Sequence, residues 1–139
     1  MKVRRILVIG IGQFGEMLIR ELAERGCEVI AVDSDEERIA DVRDDATQAL
    51  VLDATDEKLL QSLAVADMDA VVIGIGQDVQ ASTLVALLCK EAGAKHLTAK
   101  AATRLHGKVL DKIGVDRVVY PEAETGRRLA RMLASANLL

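Results

Sequence analysis

Short apolar runs alternate with segments in which apolar residues recur every three or four positions, and this alternation continues along the whole chain. Such runs are typical of parallel strands joined by crossover helices. The pattern therefore predicts an α/β fold of the doubly wound Rossmann type, with a six-stranded parallel sheet in the order 3-2-1-4-5-6 between two helical layers. The predicted strands are residues 3–9, 28–32, 49–52, 70–75, 96–99 and 117–120.

The segments between these strands carry helix boundary signals. Gly26 is expected to end the first helix, and Thr55 is a candidate N-cap of the third. Ile39 and Val42 are the expected inward contacts of the short, charged second helix. Helical spacing predicts the inward face of the first helix from four apolar residues: Phe14, Met17, Leu18 and Leu22. Further helices are predicted over residues 79–92, 104–113 and about 122–136.

The last predicted helix has one apolar face. Pro121 ends the preceding strand and stands where a proline is tolerated, in the first turn of a helix. The apolar face consists of Leu129, Ala130, Met132 and Leu133. We expect this face either to cover the sheet or to dock on a partner.

Length and charge narrow the class of protein. The 139 residues are enough for one domain, residues 1–139, and the net charge is −4. The sequence lacks the basic stripe with interleaved aromatic residues that is typical of nucleic-acid binding, so we expect no nucleic-acid partner. Its longest apolar runs are far shorter than the about 20 residues that a membrane-spanning helix requires, so we expect no direct membrane insertion.

Two cysteines, Cys27 and Cys89, are far apart in sequence and lie in apolar stretches. They do not form the closely spaced pair that is typical of metal or redox sites. We interpret both as buried, reduced thiols, which fits a reducing cytoplasm.

A glycine-rich turn follows the first predicted strand and opens the first predicted helix. It reads Gly10-Ile11-Gly12-Gln13-Phe14-Gly15. In this context Gly10 allows a tight turn, Gly12 lets phosphate oxygens approach the backbone, and Gly15 lets the helix pack closely on the sheet. The helix N-terminus adds unpaired N–H groups and a positive dipole, so an anion is expected there. The alternative is that the glycines serve strand-to-helix packing alone.

Acidic residues follow the next two strands. Asp33 stands about 20 residues beyond the glycines, where a carboxylate accepts hydrogen bonds from ribose hydroxyls, although it could instead be a helix cap. A carboxylate there repels a 2′-phosphate, and no arginine follows it directly. We therefore expect NAD(H), ATP, ADP or AMP rather than NADP(H). Two further segments, Asp53-Ala54-Thr55 and Gly74-Ile75-Gly76, follow strands three and four at their carboxyl ends, the edge at which open α/β sheets bind ligands. They either line the adenosine site or serve as caps and turns.

The sequence has no phosphate loop of the P-loop type, no nucleophile elbow and no zinc-ligand spacing. His96 begins a strand and is interpreted as structural, whereas His106 either faces the ligand edge or lies on the surface. A non-enzymatic function is expected. The alternatives are an NAD-dependent oxidoreductase fragment, for which too few residues remain to form a substrate domain, a methyltransferase, or a stand-alone nucleotide-binding module.

Four segments together resemble a known family: VIGIGQFGEMLIRELAERGCEVIAVDSDEERI, VLDATDE, VVIGIGQDVQASTLVALLCKEAGAKHLTAKA and LHGKVLDKIGVDRVVYPEAETGRRLA. They resemble the RCK (TrkA-N) nucleotide-binding domain of Ktr and Trk potassium-transporter regulatory subunits. The resemblance implies a nucleotide-sensing gating subunit in the cytoplasm that forms homodimers and octameric rings beneath a membrane pore subunit. The carboxy-terminal lobe found in many members is not in this sequence, which is either a truncated chain or a stand-alone lobe.

The resemblance also implies a set of contacts to ATP, ADP or NAD(H). Glu122 matches a family position at the dimer interface that can help hold a divalent cation; otherwise it is an ordinary first-turn acid. Many family members that distinguish ATP from ADP have arginine at the position of Gln13, so NAD(H), ADP or AMP gain weight here. The implied contacts are Gln13, Asp33, Ser34, Asp35, Asp53, Ala54, Ile75, Gly76, Gln77, Lys100, Ala101, Ala102, His106 and Glu122.

Overall fold

A computed structural model describes residues 2–135. Within this range six parallel strands form one sheet in the order β3-β2-β1-β4-β5-β6, which confirms the predicted topology. The strands are β1 (Arg5–Ile9), β2 (Glu28–Asp33), β3 (Gln48–Val51), β4 (Ala70–Ile73), β5 (Leu97–Lys100) and β6 (Arg117–Val119). The α-helices are α1 (Gln13–Glu24), α2 (Glu36–Val42), α3 (Glu57–Gln61), α4 (Val79–Glu91), α5 (Arg104–Ile113) and α6 (Pro121–Ala134), and a 3-10 turn spans Val65–Asp67.

Alternate residues of the central strands point to opposite faces of the sheet, and each face has its own core. Leu7 and Ile9 of β1 pack on the side that carries α3, α4 and α5. Ile6 and Val8 pack on the side that carries α1 and α2. The side-chain period of two in each strand thus produces the three-layer arrangement.

The inward face of α1 differs from the prediction at one position. Met17 is 63% exposed, whereas Ile19 is completely buried. At 100° per residue Met17 lies about 140° around the helix from Leu22, and so points to solvent. Ile39 and Val42 of α2 are buried as expected.

The start of α3 also differs from the prediction. Asp56, not Thr55, is the N-cap, since its carboxylate accepts hydrogen bonds from the N–H groups of Lys58 and Leu59 at 3.0 and 3.3 Å. Thr55 instead donates its hydroxyl proton to Asp53 at 2.6 Å. Two neighbouring residues could each have capped this helix, and the carboxylate of Asp56 is the one aligned with the first-turn N–H groups.

Helix α6 begins with Pro121 at its first position, as expected, and none of its residues is buried. It therefore does not cover the sheet of its own chain. Ala136, the predicted last residue of this helix, lies outside the described residues. Within residues 2–135 the structure contains no helix that is both long enough and apolar enough to span a membrane.

Cysteine burial was predicted correctly for one residue. Cys89 is completely buried in α4, and burial raises the pKa of its thiol to about 12, so it remains protonated. Cys27 is only partly buried at the start of β2, and both thiols are free.

Candidate functional site

The glycine turn brings β1, α1 and the segment after β4 into close contact. Gly10 has φ = +92°, and a Cβ atom there would lie 2.6 Å from the backbone nitrogen of Ile75. A Cβ on Gly15 would lie 2.5 Å from the carbonyl oxygen of Gly10. Gly12 differs, because a Cβ there would meet nothing within 4 Å. Gly10 and Gly15 therefore permit close packing, whereas Gly12 keeps space open in front of the turn.

Gly12 is also the N-cap residue of α1. No side chain accepts a hydrogen bond from the first turn of this helix. Its free N–H groups and the positive end of the helix dipole face the space that Gly12 leaves open. An anionic group placed there would be stabilised without any basic side chain.

Asp33 connects the turn to the next crossover. Its side chain is almost completely buried, and its Oδ2 accepts a hydrogen bond from the N–H of Ile11 at 2.7 Å. Its Oδ1 accepts from the N–H of Asp35 at 2.9 Å. One carboxylate thus fixes both the glycine turn and the start of α2, while each of its oxygens retains capacity to accept a further hydrogen bond.

A cavity of about 630 Å³ opens along the carboxyl ends of the strands. This is the edge at which open α/β sheets bind ligands. It is lined by most of the residues that the sequence singled out: Gly10, Gly12, Gln13, Phe14, Asp33, Ser34, Asp53, Ala54, Thr55, Gly74, Ile75, Gly76, Gln77, Lys100 and Glu122. A volume of this size suits a small-molecule ligand.

Six residues that the sequence had placed among the ligand contacts do not line the cavity. Ile11 and Gly15 are buried beneath the turn, and Asp35 caps α2 through a hydrogen bond to the N–H of Glu37. Ala101 is buried, and Ala102 is exposed within the β5–α5 loop. His106, the sixth, is buried in the protein interior and is described below.

Sequence reasoning missed several lining residues. Arg38 of α2 lies with its Nη1 3.8 Å from Oδ2 of Asp33 and its Nε 3.8 Å from Oδ2 of Asp35. No arginine follows Asp33 directly in sequence, but the first turn of α2 brings the guanidinium of Arg38 next to the Asp33 carboxylate. Apolar periodicity at the strand and helix ends could have identified the other missed residues: Ile9, Val32, Leu52, Ala81 and Val85, whereas Asp78 carried the signal of an N-cap.

Asp53 and Thr55 form a small hydrogen-bonded unit after β3. The backbone N–H of Thr55 donates to Oδ1 of Asp53 at 3.0 Å, in addition to the hydroxyl bond. These hydrogen bonds, the hydroxyl bond first, lower the pKa of the Asp53 carboxyl. The unit therefore presents an ionised carboxylate at the cavity rim.

Lys100 and Glu122 meet at the opposite end of the cavity. The Lys100 Nζ lies 2.9 Å from Glu122 Oε1, and the side chains are 15% and 73% exposed, respectively. The hydrogen bond from Lys100 lowers the pKa of the Glu122 carboxyl. The pair joins the end of β5 to the first turn of α6.

His106 does not line the cavity and does not lie on the surface. It is 2% exposed, its Nδ1 accepts a hydrogen bond from the N–H of Ala102 at 3.0 Å, and its Nε2 lies 3.1 Å from Oγ of Ser82. Because Nδ1 accepts, the ring proton resides on Nε2, which donates to the buried Ser82 hydroxyl. His106 therefore fixes the β5–α5 loop against α4 and contributes no atom to the cavity.

Acidification is expected to destabilise the fold through His106. Burial lowers the pKa of His106 from 6.5, so below about pH 6.5 the unfolded chain binds a proton that the folded chain excludes. The stability that the neutral, buried His106 ring gives to the fold is complete above about pH 6.5 and is lost as the pH falls toward the lowered pKa of His106 in the folded chain. Thermal melts should be recorded between about pH 7.5 and about pH 5.5, a range of about one unit on either side of the ordinary histidine pKa. Over this range the Tm of His106→Gln should depend less on pH than the Tm of the wild type. His96→Gln, which removes an exposed histidine, is the control; equal slopes for wild type and His106→Gln would contradict the assignment.

Within residues 2–135 no three His, Cys, Asp or Glu side chains are grouped so that they could hold a metal ion.

The sequence of the chain matches known proteins. The model of the TrkA-N domain matches residues 6–121. Ktr system potassium uptake protein C of Bacillus subtilis is 40% identical over 136 residues, which are 98% of this chain and 62% of that protein. The chain thus spans less than two thirds of this relative.

Solved structures share the architecture. The TrkA-N domain of the inner membrane protein ybaL from Escherichia coli superimposes with a TM-score of 0.83 at 16% identity, covering 95% of this chain and 98% of that chain. The GsuK channel bound to NAD gives a TM-score of 0.80 at 21% identity, covering 92% and 23%. At these identities the likeness concerns the fold, whereas the family match rests on the sequence. The chain belongs to the TrkA-N domain family.

Proposed function

We propose that the cavity binds an adenine nucleotide and that the chain is the nucleotide-sensing lobe of a regulatory protein of potassium uptake. The observation that carries the proposal is Asp33, whose single carboxylate holds the glycine turn at 2.7 Å and also lines the cavity. A ribose hydroxyl bound to Asp33 and a phosphate bound at the turn would then occupy one continuous space.

The ligand follows the edge of the sheet. The adenosine lies at the ends of β2 and β3, with its ribose hydroxyls donating to Asp33 and its base near Ala54. The first phosphates lie over Gly12, at the N-terminus of α1. Groups beyond the second phosphate extend past Gly76 toward Lys100.

Residues at the phosphate end favour NAD(H), ADP or AMP over ATP. Gln13 is exposed at the cavity and is uncharged, so it cannot form the ion pair that an arginine would offer to a terminal phosphate. The nearby charge of Lys100 is already paired with Glu122. Discrimination against NADP(H) rests on the carboxylates of Asp33 and Asp35, and Arg38 beside them reduces that discrimination.

Potassium uptake is proposed from the relatives, whose name states that activity. The partners proposed with it are a second copy of the chain, a ring of up to eight copies, and a membrane pore subunit on whose cytoplasmic side the ring lies. Three exposed apolar residues of α6 suit contact with another chain: Leu129 (51%), Met132 (54%) and Leu133 (64%). A divalent cation between Glu122 and the phosphates completes the proposal.

A non-enzymatic function is part of the same proposal. Neither a histidine nor a cysteine is among the described residues that line the cavity, and both ring nitrogens of the buried His106 are engaged in the core. An NAD-dependent oxidoreductase would need a group that delivers or removes a proton beside the nicotinamide. Turnover of NADH with small carbonyl compounds or dyes above the buffer rate would favour the oxidoreductase instead.

The physiological ligand can be identified from the protein itself. The chain is purified without added nucleotide, denatured, and the released small molecules are identified by mass spectrometry. An adenine nucleotide in near-stoichiometric amount in the wild type and its loss from the Asp33→Ala variant are expected. Equal amounts of nucleotide in both preparations would contradict the assigned site.

A further inference from the structure

Arg38 and Lys100 are the two basic side chains among the described residues that line the cavity. Arg38 lies beside Asp33 at the end of β2, whereas Lys100 ends β5, with β1 and β4 between these strands. The Lys100 ammonium group is paired with Glu122 at 2.9 Å. The contacts of Arg38 with carboxylate oxygens are 3.8 Å long, which is beyond hydrogen-bond distance. Within residues 2–135 the N–H groups of the Arg38 guanidinium therefore have no acceptor.

The two carboxylates beside Arg38 are held by the backbone and do not turn toward the guanidinium. Asp33 accepts hydrogen bonds from the N–H groups of Ile11 and Asp35 at 2.7 and 2.9 Å. Asp35 accepts from the N–H of Glu37 at 2.9 Å. The negative charges attract the guanidinium without occupying its donors. Arg38 thus stays beside the ribose end of the cavity, with a planar fork of N–H groups free for a ligand.

The ribose end of the cavity is less acidic than the sequence Asp33-Ser34-Asp35 suggests. Asp33 and Ser34 line the cavity, whereas Asp35 does not. The side chain of Asp33 is 8% exposed and that of Arg38 is 55% exposed, so the guanidinium is the more accessible charge. Ser34 is exposed and adds a hydroxyl group that can donate a hydrogen bond. A phosphate on the outer side of the ribose would meet two donors and one recessed carboxylate.

We propose that Arg38 and Ser34 form a phosphate subsite beside the adenosine ribose, so that the cavity accepts adenine nucleotides with a phosphate monoester on the 2′- or 3′-hydroxyl. One ribose hydroxyl keeps its hydrogen bond to Asp33, and the phosphate on the other lies against the Arg38 guanidinium. Arginine binds phosphate through two parallel N–H···O bonds, a geometry that lysine does not offer. The subsite rests on the nucleotide function proposed above and widens its class of ligand.

The fold removes one of the two reasons for excluding such ligands. NAD(H) was expected rather than NADP(H) because Asp33 is a carboxylate and because no arginine follows it directly. The first turn of α2 supplies that arginine from further along the chain. Repulsion by Asp33 remains, so the unmodified ribose is still the better ligand. Because the charge-assisted bond to Arg38 offsets most of this repulsion, the preference should be about ten-fold or less.

The affinity test uses calorimetry with AMP, adenosine 2′,5′-bisphosphate and adenosine 3′,5′-bisphosphate, which differ only in the phosphate on the ribose. At least one bisphosphate should bind the wild type within about ten-fold of AMP, and comparison of the two identifies the hydroxyl that carries the phosphate. Arg38→Gln should weaken that bisphosphate by at least about ten-fold and change AMP binding little.

Arg43→Gln is the matched control, because it removes an exposed arginine at the end of the same helix and outside the cavity lining. It should bind all three nucleotides as the wild type does. An unchanged ratio of bisphosphate to AMP affinity in Arg38→Gln would overturn the subsite. The subsite is equally wrong if the wild type binds AMP and neither bisphosphate.

The Nε–H signal of Arg38 in a proton–nitrogen correlation spectrum locates the added phosphate. The signal is identified by its loss from Arg38→Gln. It should differ in position between the AMP complex and the bisphosphate complex, and likewise between the NADH and NADPH complexes, whereas the Arg43 signal should not. If the Arg38 signal is the same with AMP and with a bound bisphosphate, the phosphate lies elsewhere and the subsite is refuted. Failure of AMP and NADH alike to bind would instead refute the proposed function itself.

Discussion

Asp33→Ala is expected to lower the affinity for adenine nucleotides by at least two orders of magnitude. The variant loses the acceptor of the ribose hydroxyls, and a hydrogen bond to a charged group contributes about 1.5–3 kcal/mol. It also leaves the N–H of Ile11 without its 2.7 Å partner, so the glycine turn loses the contact that orients it. Equilibrium dialysis with NADH and ADP measures the change.

The control for this variant is Asp44→Ala, which removes an exposed carboxylate after α2 at a site outside the cavity lining. It should bind as the wild type does. Circular dichroism should confirm that Asp33→Ala remains folded. If the folded Asp33→Ala protein binds nucleotide with wild-type affinity, the ribose does not bind at Asp33.

Substitutions at two glycines of the turn should affect different properties, with Gly10→Ala lowering stability and Gly12→Ala lowering nucleotide affinity. Gly10→Ala places a methyl group 2.6 Å from the Ile75 nitrogen at φ = +92°. Steric overlap and the left-handed backbone together cost about 3 kcal/mol, which corresponds to a fall in Tm of roughly 10 °C. Thermal unfolding followed by circular dichroism measures this loss.

Gly12→Ala is the matched variant in the same turn, and it should weaken nucleotide binding while leaving the stability of the fold nearly unchanged. The added methyl group meets nothing in the chain within 4 Å, so Tm should change little. The methyl group instead occupies the space over the N-terminus of α1, and nucleotide affinity should fall at least ten-fold. If Gly12→Ala binds nucleotide normally, the phosphates do not lie over this turn.

The fold was predictable because each strand and helix carries its own apolar period. Leu7 and Ile6 alternate between the two cores, and this alternation is visible in the sequence. Met17 was misplaced because Phe14 and Met17, three residues apart, were assigned to one face, whereas the face centres on Ile19. Helical spacing alone leaves the centre of a face uncertain by about one residue in either direction.

The site was predictable where the chain places residues at strand ends, and less so where it depends on side chains from different elements. Arg38 reaches Asp33 only because α2 turns back over β2. His106 is buried because Ser82 on α4 and the backbone of Ala102 offer partners to both ring nitrogens. These contacts join segments that are distant in sequence or separated by a turn, and local patterns do not encode them.

Chemical-shift mapping with ADP or NADH tests the central claim most directly, because it reports both binding and its location. We expect saturable changes at the amides of the glycine turn, of Ser34 after β2 and of Thr55 after β3, all of which border the cavity. The amides of the exposed outer face of α1, such as Met17, should change little. Saturable changes confined to residues away from the carboxyl ends of the strands, or no changes at saturating ligand, would contradict a nucleotide site in this cavity.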